Sequence, residues 1–487
     1  MRHKTHRFFP RVFLLCICSC MFAANAFAAG PREKVLYGFQ RTPDGANPSS
    51  NLIADKAGHF YGTTPTGGTG LNCEIGFNEI IACGTVFELI PPAARGDSWT
   101  EKVLYSFKGG SDGSSPQGAL IIDAKGNLYG TTTFGGGSQD CSTGIAGYYP
   151  GCGTVFELSP PSTSGGDWTE TILHVFQGGA ADGGEPWGAL IADLKGNLYG
   201  TTYVGGGGYC DGYASGCGSV FELSPPTSKS GAWSEAILYG FNGIGGNFQD
   251  GEGPMGSLVS DSKGNLYGTT TNGGVLACYD LSCGGTVFEL TPPASKGGAW
   301  TETLLVSFPD AGTDASFPGP GLVFDKSGNL YGTTQLGGNG VCDNQVEYAF
   351  PSCGEVFSLS LGSGGTWTLS FTYSFTGGSD GAYPNRSGLI VDASGNLHGT
   401  TPYGGGKGSC TSIKGISGTG CGSVFKLTPP ASGGEWTETT LHAFGGGSDG
   451  GTPYGGLVLR GGILFGTTTG IADYEAATNG TVFAVVP

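Results

Sequence analysis

Apolar residues in this chain fall in short segments separated by Gly, Pro, Asn and Asp. Between residues 100 and 160 these segments are 103–107, 119–123, 127–132 and 154–158, each rich in β-branched or aromatic residues and bounded by turn formers. No stretch carries a 3.6-residue apolar period, so the pattern predicts strands and no helices. Residues 123–127, Asp-Ala-Lys-Gly-Asn, read as a tight turn in which glycine supplies the positive φ.

The pattern recurs seven times. The phrase Gly-Asn-Leu-Tyr-Gly-Thr-Thr, or a variant, places its aromatic position at Tyr61, Tyr129, Tyr199, Tyr267, Tyr331, His398 and Phe465, at intervals of 68, 70, 68, 64, 67 and 67 residues. Trp99, Trp168, Trp233, Trp300, Trp367 and Trp436 keep the same period, as does a Val-Phe segment that closes each unit. Such periodicity is the mark of a repeat architecture. Seven copies of a four-stranded unit predict an all-β, seven-bladed β-propeller, with an open β-solenoid as the alternative. The segment 33–39 matches 101–107, and the last unit lacks such a segment after its Val-Phe strand. If the Leu-Ile-x-Asp strand is innermost, residues 33–39 are expected to close the ring as the outer strand of the last blade.

Composition agrees with this architecture. Glycine accounts for 96 of 487 residues and charged residues for only 13%, while aromatics reach 11%. So much glycine excludes a mainly helical protein, and so many aromatics with so little charge argue against disorder. Residues 1–29 form a separate unit. Arg2, Lys4, Arg7 and Arg11 precede an apolar run over 12–24 and the small-x-small site Ala26-Phe27-Ala28, the pattern of a signal peptide. Lipoprotein processing at Cys20 is the alternative. The remainder, 30–487, is expected to be a single repeat domain, secreted to the medium or periplasm. Removing the signal leaves 18 basic against 39 acidic residues. That acidic surface disfavours nucleic acid and anionic membrane partners. No later segment reads as membrane-inserting, and a monomer is expected.

Of fifteen cysteines, three lie in the signal. The other twelve form six local pairs, each in the Gly-rich loop before a Val-Phe strand: Cys73 with Cys83, Cys141 with Cys152, Cys210 with Cys217, Cys278 with Cys283, Cys342 with Cys353 and Cys410 with Cys421. An even count in an exported chain reads as disulfides. Zinc binding is the competing reading, and the lack of nearby histidine weighs against it.

Candidate chemistry is sparse. Three Gly-x-Ser-x-Gly matches, at Ser111, Ser379 and Ser448, precede a repeated Asp-Gly turn rather than a helix, so they do not read as nucleophile elbows. His59, His174, His398 and His442 occupy ordinary repeat positions. The Asp-x-x-x-Pro aspartates, Asp44, Asp112, Asp182, Asp250, Asp314, Asp380 and Asp449, are the most regular polar feature. A turn-forming role explains their recurrence, with Ca²⁺ coordination on a rim as the alternative; no other cofactor is expected. Function in a symmetric ring is expected where the symmetry breaks. The residue after each of these prolines is expected near the channel mouth, and it varies: Ser49, Gln117, Trp187, Met255, Gly319, Asn385 and Tyr454. Arg386 fills a one-residue insertion and Arg460 replaces a turn aspartate. Trp187, Tyr454, Met255 and Arg386 are therefore the candidate ligand-binding residues, weighed against plain rim variation. The disulfide loops are expected on the same face.

The phrases Gly-Asn-Leu-Tyr-Gly-Thr-Thr, Gly-Thr-Val-Phe-Glu-Leu and Gly-Gly-Ser-Asp-Gly together resemble the bacterial GloVer tandem repeat, over nearly all of residues 33–487. The resemblance implies a secreted repeat protein, in some cases with a sorting tail that this sequence does not show, and implies no known reaction. The expectation is a non-catalytic propeller binding a carbohydrate or cell-surface protein on its loop face. The alternative is a glycan-active hydrolase or lyase on the same scaffold.

Overall fold

The computed structural model describes residues 32–487, apart from 71–72, 76–78, 81, 95, 139–140, 142–150, 164, 209, 211–215, 229–230, 244–249, 275–283, 296, 310–314, 341, 343–351, 385–387, 409, 411–419, 432 and 471–478. The signal peptide read at 1–29, Asp314 and Arg386 lie outside the described residues. Cys278 and Cys283, expected to form a disulfide, lie outside them as well.

The chain forms seven antiparallel four-stranded blades arranged as a β-propeller. In the first blade the strands run from the inner edge outward as Ile53–Ala54, Phe60–Thr64, Thr85–Ile90 and Thr100–Ser106. Each blade repeats this order, and the fifth adds a short strand, Ser316–Pro318, on Leu330–Leu336. The seventh is built from Val458–Arg460, Ile463–Thr468 and Thr481–Val486, completed by the N-terminal strand Arg32–Gly38. That strand pairs from Arg32 opposite Val486 to Gly38 opposite Thr481, closing the ring between the two ends of the chain.

The core lies between the blades. Along the third strand, Phe87 and Leu89 face one side and Val86 the other, and all three are fully buried. Both faces are apolar because each blade is sandwiched between two neighbours. In the cluster between the first and second blades, Tyr61, Val86 and Leu104 meet Leu120, Phe156 and Leu158. At every interface the phenylalanine that ends an outer-strand segment meets the third-strand phenylalanine of the next blade. The ring centroids stand 5.1 Å apart for Phe107 and Phe156, and 5.0 Å apart for Phe444 and Phe483. Phe39, just past the closing strand, makes the same contact with Phe87 of the first blade. The glycine of each Gly-Thr-Thr is dictated by that ring: a Cβ on Gly62 would stand 2.6 Å from Phe87 Cζ.

The two threonines divide the polar work. The second pairs across its own blade, as Thr64 Oγ1 does with Thr85 Oγ1 at 2.8 Å. The first donates to a backbone carbonyl of the next blade: Thr63 to Gly118, Thr131 to Gly188, Thr201 to Gly256, Thr269 to Gly319 and Thr400 to Gly455. Thr467 donates to Ser50 and so carries the relay across the seam. Buried hydroxyls are costly unless bonded, and this arrangement satisfies these six while linking neighbours; in the fifth blade the Thr333 hydroxyl is buried without a partner. The inner strands are shorter than the sequence pattern predicts. Instead of 119–123, only Ile121–Ile122 pairs. Crowding is the reason: Gly118 packs so closely on the next blade that a Cβ would stand 2.6 Å from Gly188 O.

Five of the six expected disulfides are formed among the described residues: Cys73–Cys83, Cys141–Cys152, Cys210–Cys217, Cys342–Cys353 and Cys410–Cys421, each inside one loop. The sixth expected bridge, from Cys278 to Cys283, is not among these five, because neither Cys278 nor Cys283 is a described residue. Closing a loop of this length stabilises by about 2–3 kcal/mol on a chain-entropy estimate. Reduction with dithiothreitol is therefore expected to lower the midpoint of thermal unfolding. An unchanged midpoint would show that the loops add nothing to the ring.

Candidate functional site

A cavity of about 280 Å³ lies on the propeller axis, since its walls come from the first, second, third, fourth, fifth and seventh blades. Ser49, Gln117, Trp187, Met255 and Tyr454, each the residue after a repeated proline, line it, with Pro318 and Pro320 on either side of Gly319. Thr271 and Gln335, each following a Thr-Thr pair, and Phe317 complete the wall. The structure thus brings together Trp187, Met255 and Tyr454, three of the four residues singled out in the sequence. Asn385 and Arg386 lie outside the described residues.

A strained backbone holds these side chains in place. The residue before each proline has positive φ: Asn47 58°, Ser115 56°, Glu185 55°, Gly253 63°, Phe317 54°, Tyr383 59° and Thr452 50°. For a residue with a side chain this conformation costs about 1–2 kcal/mol, and a following proline disfavours it further. Its N–H finds a carbonyl at the end of the preceding blade's loop. Ser115 donates to Cys83, Glu185 to Cys152, Tyr383 to Cys353 and Thr452 to Cys421, at 2.8–2.9 Å. The disulfide loops and the proline turns therefore share one face, and one hydrogen bond ties the end of each of these bridges to a proline turn. Tyr454 Oη is hydrogen-bonded to Tyr403 Oη at 2.7 Å. Trp187 packs edge-on against Phe134, and its indole N–H is buried with no partner. No carboxylate, imidazole or thiol is among the described lining residues.

The repeated aspartates do not gather. Each described one sits at its own blade interface and accepts from its own turn: Asp44 from Gln40 N and Gly45 N, Asp112 from Lys108 N, Asp380 from Thr376 N and Asp449 from Gly445 N. At Asp44, Asp112, Asp250 and Asp380 a tyrosine from the preceding outer strand donates to the same carboxylate. Tyr37 reaches Asp44 at 2.6 Å, and Tyr105 and Tyr239 reach Asp112 and Asp250 at 2.5 Å. An outer-strand glutamate of the following blade completes the group, a constellation that the sequence reading missed. Burial pushes Glu101 up to about 8, helped by the Asp44 charge. Burial likewise pushes Glu170, Glu235 and Glu302 up to about 7, helped by Asp112, Asp182 and Asp250. One oxygen of each of these four glutamates is buried without a partner.

The other polar residues singled out in the sequence sit in turns and at contacts within and between blades. Asp123 and Asp193 close tight turns by accepting from Asn127 N and Asn197 N. Arg460, where other blades carry the turn aspartate, donates to the carbonyls of Asp55 and Lys56 in the first blade and so braces the seam. Ser111 and Ser448 sit in single 3₁₀ turns at Gly110–Asp112 and Gly447–Asp449, not ahead of an α-helix. The histidines stay apart from one another: His59 bonds Glu88 at 2.7 Å, and His398 stands 3.2 Å from Asp392. Burial holds the imidazoles of His398 and His442 below the ordinary range.

Among solved structures, the fold is similar to a gluconolactonase from Xanthomonas campestris (13% identity, 94% of this chain and 89% of that chain, TM-score 0.34). It is also similar to a fungal alcohol oxidase of the AA5 family in complex with copper (12% identity, 93% and 77%, TM-score 0.48). At these values the likeness concerns the fold alone. No curated protein matches the chain. The family model described as the Gloeobacter/Verrucomicrobia repeat matches residues 141–346 and 281–487, more than half of the sequence. With seven copies of the phrase that carries that repeat, the chain belongs to the Gloeobacter/Verrucomicrobia repeat family.

Proposed function

We propose that this chain is an exported, non-catalytic propeller that binds a carbohydrate in its axial pocket. The observation that carries the reading is the wall of that pocket: two aromatic side chains, Trp187 and Tyr454, set among the uncharged hydrogen-bonding groups of Gln117, Gln335, Ser49 and Thr271. A sugar ring offers a matching surface, with apolar C–H faces for aromatic stacking and hydroxyls for amides. A glycosidase needs paired carboxyls at the scissile bond, and the described wall offers none. Export is supported by the five disulfides, bonds that persist in oxidising compartments, together with the charged and apolar pattern of residues 1–29.

A glycan-array screen of the oxidised protein tests this reading. A specific hit is expected, with Trp187→Ala weakening binding at least tenfold and Tyr454→Ala somewhat less. Both side chains line a cavity and neither belongs to the inter-blade core, so the variants are expected to fold. A blank array would overturn the carbohydrate reading in favour of a protein partner. Release of shorter glycans from the bound ligand would replace binding by catalysis.

A further inference from the structure

At the seam of the ring the repeated interface group takes a different form. His442 stands where four other outer strands carry Tyr37, Tyr105, Tyr239 and Tyr373. Tyrosine at this place donates to the neighbouring aspartate and seals it. His442 Nε2 lies 3.3 Å from Asp449 Oδ1, yet it is buried without a hydrogen-bond partner because the ring is poorly aimed for an N–H···O bond. Glu33, on the closing strand, also has a buried and unpartnered oxygen. One ligand atom each from Glu33, His442 and Asp449 lie within 4.8 Å of one another. Two unsatisfied atoms and a carboxylate thus converge at one point, from the N-terminal strand, the outer strand of the sixth blade and the turn into the seventh.

We propose that Glu33, His442 and Asp449 bind a divalent transition-metal ion of the zinc class, which staples the closing strand to the sixth blade. One imidazole and two carboxylates are a donor set suited to zinc rather than to calcium, which takes oxygen ligands only. Bonds of about 2.1 Å in a tetrahedron set ligand atoms roughly 3.4 Å apart, close to the His442–Asp449 separation. A small side-chain adjustment brings in Glu33, and water takes the fourth place. Lys407, exposed, is a positive charge acting on His442 from outside the group. The equivalent group in the third blade differs. His174 Nε2 makes its hydrogen bond to Asp182 at 3.3 Å, and Glu235 does not join them within the same span. The seam is also where a metal has most to hold, because only here is a blade completed by a strand from the far end of the chain.

The test is zinc titration of the untagged, chelator-treated protein by isothermal calorimetry, with thermal melting alongside. One equivalent of Zn²⁺ is expected to bind and to raise the unfolding midpoint saturably, whereas Ca²⁺ at the same concentration leaves it unchanged. His442→Tyr, which installs the residue that the other interfaces use, is expected to fold and to weaken zinc binding at least tenfold. Glu33→Gln is expected to weaken it as well, and His174→Tyr to leave it unchanged. Absence of one-to-one binding, or a His442→Tyr protein that binds zinc like the parent, would falsify the proposal.

Discussion

Removing residues 32–39 is expected to cost the protein its closed ring. The deletion strips the outer strand from the seventh blade and leaves the edge Thr481–Val486 unpaired, with Val482, Phe483 and Val485 no longer covered. It also removes Phe39, which is 3% exposed and sits against Phe87 of the first blade. Each buried apolar side chain is worth about 1.5–3 kcal/mol. Leu36, Tyr37 and Phe39 together with the lost ladder therefore approach the 5–15 kcal/mol that typically separates folded from unfolded domains. An unpaired apolar edge also invites association. The truncated chain should melt at least 10 °C lower and elute as higher-order species in size-exclusion chromatography. A synthetic peptide of residues 32–39 should partly restore both. A truncated protein that melts like the parent and stays monodisperse would mean that the ring is held without this strand.

Stability is also expected to fall as pH rises from about 5 to about 8. Burial and the adjacent aspartates hold Glu101 at about 8 and Glu170, Glu235, Glu302 and Glu438 at about 7 in the folded chain, against 4.5 for the free side chain. The groups that act on them are Asp44, Asp112, Asp182, Asp250 and Asp380, opposed by Lys108 beside Glu170, by His174 beside Glu235 and by the Thr440 hydroxyl on Glu438. Between those values the folded state holds protons that the unfolded chain releases, so unfolding becomes easier with each increment of pH. The stabilisation is complete below pH 4.5 and is lost as pH passes through 7–8. Asp392 works in the opposite sense: its hydrogen bonds outweigh burial and hold it at about 2, so its contribution is lost only as pH falls from 3.8 towards 2. Five groups acting together make this a large effect. Melting curves from pH 4.5 to 9 should show the midpoint falling, and Glu101→Gln should flatten the slope and gain on the parent at pH 8. A midpoint that rises with pH would contradict the buried-acid account.

Periodicity made the architecture legible. Blade number, the closing role of residues 33–39 and the local cysteine pairs all follow from positions that recur every 64–70 residues. Ten of the twelve cysteines expected to pair do so as expected; Cys278 and Cys283 lie outside the described residues. The axial ring was legible for the same reason. Once the proline turn is placed beside the inner strand, Trp187, Met255 and Tyr454 must approach the axis, and they line the pocket. What a repeat conceals is which copies touch. Tyr37, Asp44 and Glu101 are spread over 65 residues, on two strands of two blades and the turn between them, yet they form one group; nothing in the spacing of a single unit says so. The threonine relay was hidden likewise, because Thr63 bonds a carbonyl 55 residues away in the neighbouring blade. The inner strand was overestimated because apolar alternation measures burial, whereas pairing there is limited by how closely Gly118 and Gly188 crowd together.

The placement of the disulfides bears on how such a chain can change its number of blades. The twelve cysteines that follow residues 1–29 could pair in roughly ten thousand ways, by the same counting that gives 105 for eight. Here every observed partner lies 7 to 11 residues away, and loops of that size close on a timescale of about 10–100 ns. Contour length alone brings each of these partners together, without any contact between blades. A duplication or loss of one whole unit would therefore carry both of its sulfurs with it. The oxidation chemistry of the remaining blades would be untouched, and no orphan thiol would be left to cross-link the wrong pair.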